Sequence, residues 1–524
     1  MSEHKAIFKS ASAISVLTIV SRITGFIRDV LIAQIFGTGM AAQAFFVAFK
    51  IPNMFRDIIG EGAGNAAFVP VFCEYLAKKA REDFLKLVNT VLRMLLIISS
   101  FLVVAGILLA PAVVRVIAPG FFQDRAKFDL TVNLTRFLFP YLVLIVISAY
   151  LMAISNAHKS FAIPASTSIV SNLVLIVFIF LVSRLAGVQQ IYALTFAVLV
   201  AGVAQVLFQW PQMSRMGIDF RKGGVFPRVF QEPAIRKIGR LILPRLAGTS
   251  IYQLNMFVDT IFASLTFYAG DGAIAAIYYA NRLIQFPFSV FGIALSNAAL
   301  PTMSANSAQK EMEKFKATLS FCLKTVFLGI IPLTMGMLLF SYPLVRVIFQ
   351  RGSFDAYSTD MTARAVFFYA VGLFAYVGVR FLSHAFYALQ DTATPVKTSG
   401  LSLLLNVVLI SIFMIVLRMQ VAGLALASSI SASVNFYLLY HILKKRIGFN
   451  FGPRFGRVIV KIFVASFVMA VLMFWVWQRE GALHPTFVKM CLIACLGTVI
   501  YTGLLWVLRV QELRALISWL QRKK

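Results

Sequence analysis

The chain has 524 residues, 60% of them hydrophobic and 13% charged, with 49 Lys and Arg against 20 Asp and Glu and a net charge of +29. Soluble domains are about half apolar and about a quarter charged, so this composition, with a mean hydropathy of +0.85, excludes a soluble enzyme, a disordered chain and a disulfide-stapled secreted domain. The excess of base looks like a nucleic-acid binder's. Membrane proteins concentrate Lys and Arg in cytoplasmic loops near anionic headgroups, however, so membrane lipids and no nucleic acid are the expected partners.

A membrane-crossing helix needs about 20 mostly apolar residues. Such runs predict fourteen spans in an all-α polytopic membrane protein: 11–36, 41–71, 87–114, 130–155, 162–183, 190–212, 243–266, 273–304, 317–343, 362–388, 398–417, 421–441, 458–478 and 486–508. Spans one, two, four, seven, eight and ten carry charges or prolines and are kept because turn signals and apolar periodicity frame them. The first holds Arg22, Arg28 and Asp29, which the apolar core of a cleavable signal peptide would not tolerate, so none is expected. Connections are short except for 213–242. Cys73, Cys322, Cys491 and Cys495 show no metal-type spacing beyond the last pair, which sits in an apolar run and reads as packing.

With the amino terminus placed inside, 30 of the 49 basic residues fall on the inner side, nine on the outer side and ten within spans. Eight of the inner ones crowd the long connection and the first residues of span seven: Arg215, Arg221, Lys222, Arg228, Arg236, Lys237, Arg240 and Arg245. This asymmetry puts both termini in the cytoplasm and agrees with an even span count.

The halves resemble each other. Asn172 in PASTSIVSNLVLIV matches Asn406 in PVKTSGLSLLLNVVLI, and Pro164 matches Pro395. Asn65 and Pro70 of NAAFVP match Asn297 and Pro301 of NAALP, and Asp29 matches Asp259. The numbering offset is nearly the same for all five pairs, which chance likeness between apolar helices would not produce. A unit of six spans is even, so both copies keep one orientation, related by an axis along the membrane normal with a substrate site between them. The pattern predicts a transporter with an N-terminal lobe (1–213, spans one to six), a basic cytoplasmic linker (214–242) and a C-terminal lobe (243–445, spans seven to twelve). Spans thirteen and fourteen and the tail (446–524) lie outside the repeat.

Ten basic residues lie within spans, and each costs about 2.5–3.5 kcal/mol at the bilayer centre on insertion scales. Arg93, Arg136, Lys324 and Arg364 are near span ends and can snorkel. Arg22, Arg28, Lys50, Arg56 and Arg282 cluster in spans one, two and eight, and only Asp29, Asp57, Glu61 and Asp259 oppose them. The surplus asks for an anionic ligand, and the planar fork of arginine suits phosphate oxygens. One of Arg22 and Arg28 could instead bridge to Asp29 or Asp57. The glycines of spans one and two, Gly25 among them, serve either close packing or bending. Asp259, beside Asn255 and Thr260, could join Asn406 and Ser428 or Ser429 around a monovalent cation, or be bridged to an Arg.

At these residues the sequence resembles a known family. SRITGFIRDVLIAQIFGTGMAAQAFFVAFKIPNMFRDIIGEGAGNAAFVPVF (Ser21 to Phe72) is closely similar to the opening of the MurJ (MviN) lipid II flippases of the multidrug/oligosaccharidyl-lipid/polysaccharide exporter superfamily. YYANRLIQFPFSVFGIALSNAALP (278–301) and FYALQDTATPVK (386–397) are similar too, and the likeness runs along nearly the whole chain. It implies two parallel six-helix lobes around a V-shaped central cavity, plus two C-terminal helices forming a groove for a polyprenyl tail. The implied cargo is the undecaprenyl-diphosphate-linked disaccharide-pentapeptide, moved between leaflets of the bacterial inner membrane by a chain working as a monomer. The family's cavity arginines match Arg22, Arg28, Arg56 and Arg282, and its acids match Asp29 and Glu61. A family cation site maps to Asp259 and Asn406, with Na+ or H+ as the coupling ion and no other cofactor.

Gln43, Asn281 and Gln285 stand where some members carry acids, which makes this cavity more positive. A cation-coupled drug antiporter on the same scaffold is the competing reading, and it would favour a cavity of acids and aromatics. An enzyme acting on polyprenyl phosphates would need clustered carboxylates for Mg2+ or a nucleophile with its base. Asp57 and Glu61 have no second acidic pair, so a transporter is expected rather than an enzyme.

Overall fold

The computed structural model describes residues 2–56, 65–185, 187–220, 224, 226, 229–451, 453–481 and 486–510. Its chain divides into two compact units, Met1–Thr266 and Phe267–Lys524. The regular elements among the described residues are all helical. The first unit contains α1 (Ser2–Phe36), α2 (Met40–Arg56), α3 (Asn65–Lys78), α4 (Arg81–Ile117), α5 (Arg125–Leu138), α6 (Tyr141–Ala157), α7 (Ala162–Val182), α8 (Val188–Arg215) and α9 (Pro233–Ser264). The second follows the short α10 (Thr266–Ala269) with α11 (Ala273–Pro287), α12 (Ala294–Ala308), α13 (Met312–Phe349), α14 (Ala356–Val371), α15 (Leu373–Ala388), α16 (Ala393–Ile410), α17 (Gln420–Ile447), α18 (Pro453–Val476) and α19 (Phe487–Val507).

Nine helices among the described residues are long and apolar enough to cross a membrane, or eleven when two bent pairs are counted as single spans. The chain is a multi-pass membrane protein. So far as they are described, all fourteen expected segments lie on helices. Segments one, two and seven fall outside the apolarity test, and they hold Arg22, Arg28 and Asp29, then Lys50 and Arg56, then Asp259.

The repeat is visible in the internal geometry of each unit. α4 and α13 correspond end to end, Arg81 with Met312 and Ile117 with Phe349, at the spacing of the sequence repeat. α8 and α17 are equal in length and correspond at both ends in the same way. Asp124 caps α5 by accepting from the Lys127 amide, and Asp355, its counterpart in the repeat, caps α14 by accepting from the Ser358 amide. Each satisfies one of the amides a helix start leaves open.

Even the bends recur. α5 and α6 meet at 40° and α14 and α15 at 46°, with Pro140 and Gly372 at the two breaks, again in corresponding positions. The chemistry differs between the copies. Pro140 lacks an amide hydrogen and cannot continue the ladder. At Gly372 the α17 backbone comes so close that an added Cβ would sit 2.6 Å from Ser429 Oγ and 2.7 Å from Ser429 Cα. Ser429 Oγ donates to Phe368 O at 2.6 Å, occupying a carbonyl beside the break; such replacement is what lets a spanning helix break.

The first core gathers Phe68, Phe72, Phe84 and Tyr150, with Tyr150 Oη donating to Val88 O at 2.7 Å. The seventh expected span, α9, lies in this unit and packs on α3 and α4, so residue 243, the expected start of the second lobe, falls inside it. Polar ties fix its first turn: Tyr75 Oη donates to Glu232 Oε1 at 2.8 Å and Lys237 Nζ to Glu74 Oε2. Burial and the Glu232 partner push the Tyr75 hydroxyl above its ordinary pKa. In the second unit α18 packs on α13 and carries α19. A separate core of Ile462, Ala465, Met469, Met473, Tyr501 and Leu505 joins them, and Tyr501 Oη donates to Leu328 O at 2.7 Å.

Candidate functional site

Arg28 projects from α1 beside Asp29, which is 1% exposed. Its Nε and Nη2 both donate to Asp29 Oδ1, at 3.0 and 2.7 Å, and its Nη1 donates to Asn172 Oδ1 on α7 at 3.0 Å. Asn172 is held in turn: its Nδ2 donates to Ser21 O at 3.1 Å and to Thr24 Oγ1 at 3.3 Å. Gly25 makes the crossing close enough for this, since a Cβ there would lie 3.2 Å from Asn172 Nδ2. The guanidinium is therefore fixed from two helices while its side chain stays 12% exposed.

Arg22 and Arg56 are exposed, on α1 and at the end of α2 after Pro52. Tyr141 at the start of α6 is buried and lies within electrostatic reach of both Arg56 and Arg28. Arg28 and Arg56 thus share a neighbourhood within the first unit. Asp57 and Glu61 lie outside the described residues.

In the second unit Arg282 is half-buried on α11. It donates from Nη2 to Tyr278 Oη at 2.8 Å and from Nη1 to Gln285 Oε1 at 3.3 Å, with its guanidinium carbon 4.9 Å from the Tyr278 ring centre. Tyr278 is four residues before Arg282 and Gln285 three after, so all three share one helix face.

Asp259 is half-buried on α9 in the first unit, and Asn406 is 3% exposed on α16 in the second. Lys50 of α2 donates to Met256 O and Thr260 Oγ1 on α9, where Asp259 is its electrostatic partner. Ser429 spends its hydroxyl on the backbone of α14. Among the described residues no group of three or more His, Cys, Asp or Glu could hold a metal ion.

Sequence reasoning raised the Arg28–Asp29 bridge but missed Asn172 as its second holder, Tyr278 beneath Arg282, and Tyr141. Asn172 had a signal, its place in the repeat. Tyr278 had another, the spacing of four to an intramembrane arginine.

Comparison with known proteins decides the family. Residues 32–494 match the family described as "Lipid II flippase MurJ". The chain belongs to the MurJ lipid II flippase family. A "Probable lipid II flippase MurJ" of Buchnera aphidicola subsp. Schizaphis graminum is 31% identical over 99% of this chain and 100% of its own length. The "Lipid II flippase MurJ" of Burkholderia cenocepacia is 33% identical over 96% of this chain and 97% of its own. Among solved structures, "Lipid II flippase MurJ, inward closed conformation" shares the fold with a TM-score of 0.79 at 24% identity, covering 96% of this chain and 99% of that one. An inward-facing multidrug resistance MATE family transporter of the MOP superfamily follows with a TM-score of 0.68 at 14% identity, covering 84% and 98%. Membership places the chain among membrane transporters rather than enzymes.

Proposed function

We propose that this chain is a lipid II flippase. It moves the undecaprenyl-diphosphate-linked peptidoglycan precursor from the cytoplasmic to the periplasmic leaflet of the bacterial inner membrane by alternating access. The arrangement of Arg28, oriented by Asp29 and Asn172, carries this reading. A diphosphate in a low-dielectric cavity is costly unless paired and hydrogen-bonded, and a positioned guanidinium offers it a charged fork. Arg22 and Arg56 add positive charge in the first lobe, Arg282 acts from the second, and Glu61 completes the set. Asp29 gives the site a way to let go. Its carboxylate competes with the diphosphate for Arg28, so the guanidinium is never left unpaired when cargo departs. Binding stays moderate, which turnover requires, and no covalent step is needed.

The lobes on this reading are 1–213 and 243–445, joined by the cytoplasmic linker 214–242, with fourteen spans and both termini in the cytoplasm. The last two spans, on α18 and α19, take the polyprenyl tail. Asp259 and Asn406 form a site for a coupling Na+ or H+, and the chain works as a monomer.

The test is depletion of the protein in cells, followed by measuring which leaflet holds the lipid-linked precursor. Precursor trapped on the cytoplasmic side, rescued by wild type but not by membrane-inserted Arg28→Ala or Arg282→Ala, is the expected result. Unimpaired precursor flipping with altered efflux of cationic compounds would replace the proposal with the antiporter reading.

A further inference from the structure

Charge counting leaves nine basic residues for the outer loops. Four of these nine meet at one end of α13, α18 and α19. Arg346 is in the last turn of α13, Arg351 lies just beyond it, Arg479 is in the π-helical turn after α18 and Lys489 is in the first turn of α19. The three helices pack on one another, and Arg346, Val347, Gln350 and Arg351 face Thr486 and Phe487 across an open cavity of about 460 Å³.

Ordinary helix capping explains part of this. The last turn of α13 carries partial negative charge and favours a cation such as Arg346. Arg351 Nη2 donates to Val347 O at 3.0 Å, which holds its guanidinium at the cavity wall. One bond leaves most of an arginine's five donors for other partners. Among the described residues neither Arg346 nor Arg351 forms an ion pair. The opposite wall is the start of α19, where Thr486 Oγ1 accepts from the Lys489 amide and the helix end is itself positive. Two guanidiniums and a positive helix end repel each other, and an anion between them removes that repulsion.

The surroundings say which anion. From Phe487 onward α19 turns Val488, Leu492, Leu496 and Val499 outward, each at least 45% exposed. Trp475, with Arg479 3.9 Å above its ring, is exposed in the manner of interfacial aromatics. The cavity therefore sits at headgroup depth with lipid beside it. We infer that it binds the phosphate of a lipid phosphomonoester. Two arginines and a helix end match a headgroup carrying close to two negative charges better than the single charge of a phosphodiester. This site shares no residue with the one assigned to Arg22, Arg28, Arg56 and Arg282, and it rests on the proposed orientation only for which leaflet supplies the lipid.

The experiment uses full-length protein in detergent, with native mass spectrometry of retained dioleoyl phosphatidic acid, dioleoyl phosphatidylglycerol or inorganic phosphate. Wild type should retain phosphatidic acid in preference to phosphatidylglycerol. The Arg346→Gln/Arg351→Gln double variant should retain it at least about tenfold less, since one charged hydrogen bond alone is worth about that factor. Arg346→Lys/Arg351→Lys should fall between, and Arg184→Gln, an outer arginine of the first unit, should bind as wild type does. A matching thermal midpoint shows that the variants are folded. Equal retention of phosphatidylglycerol, an unchanged double Gln variant, or displacement by inorganic phosphate at concentrations equal to the lipid would each overturn the proposal. Impermeant labelling of Ser353→Cys, with the four native cysteines replaced by serine, reports the leaflet separately. An inward-facing Ser353 would sink the orientation while leaving the binding result standing.

Discussion

Replacing Asn172 with Ala isolates what orients Arg28. The change removes the interhelical bond from that guanidinium, Nη1 to Oδ1 at 3.0 Å, and leaves both bonds to Asp29, its neighbour on the same helix. Hydrogen bonds to charged groups are worth about 1.5–3 kcal/mol, and about 1.4 kcal/mol is tenfold in affinity. If the diphosphate meets Arg28 in this orientation, Asn172→Ala weakens binding by about tenfold or more. Stability should fall less, because interhelical hydrogen bonds in membranes average about 0.6 kcal/mol and reach about 1.7. The two effects are separable by titrating nanodisc-embedded protein with undecaprenyl diphosphate and recording its thermal midpoint. A dissociation constant within twofold of wild type, with Arg28→Ala losing binding, would refute the orienting role and leave Asn172 as packing between α1 and α7.

Three further outcomes are expected. Lys50→Met should speed amide exchange over residues 253–264 about tenfold, because the tie from α2 to Met256 and Thr260 is lost; unchanged exchange would show that the tie carries no strength. Gly372→Val should cost about 1–3 kcal/mol, since Ser429 Cα, 2.7 Å from the new Cβ, cannot rotate away, whereas Gly336→Ala, with nothing within 4 Å, should not lower the thermal midpoint. The third concerns acid. The Ser358 amide and hydroxyl, bonded to Asp355, hold its carboxyl below the ordinary value, so its stabilising share is complete above about pH 4 and is lost as pH falls through the lowered value. Asp355→Asn, still a good cap, should flatten the fall of thermal midpoint between pH 5 and pH 3; a slope equal to wild type would exclude Asp355 as a contributor.

How much could be read in advance depended on distance along the chain. Helices came from apolar runs, and the repeat came from Asn172 and Asn406 because a constant offset survives without any knowledge of contacts. Arg28 and Asp29 are adjacent, so their bridge could be named as an option. Arg28 with Asn172 spans 144 residues and Lys50 with Thr260 spans 210; no local pattern encodes such pairings. The bend at Gly372 was equally hidden, because its cause is a serine on α17 rather than a residue of α14 or α15.

The departures from the family pattern take on a physical meaning beside these contacts. Gln285, where some members carry an acid, accepts from Arg282 at 3.3 Å, and Tyr278 supplies the shorter bond at 2.8 Å. A neutral amide orients a guanidinium without adding charge, whereas the Asp29 carboxylate beside Arg28 both orients and neutralises. Arg28 thus has a carboxylate as a competing partner, whereas the Gln285 and Tyr278 contacts of Arg282 are neutral. If cargo phosphate binds Arg28 as proposed, the Asp29 carboxylate reclaims the guanidinium on release. Gln285→Glu should add a competing carboxylate beside Arg282, weakening undecaprenyl diphosphate binding in the same titration. Tighter binding by that variant would show that charge compensation at Arg282 does not compete with the ligand.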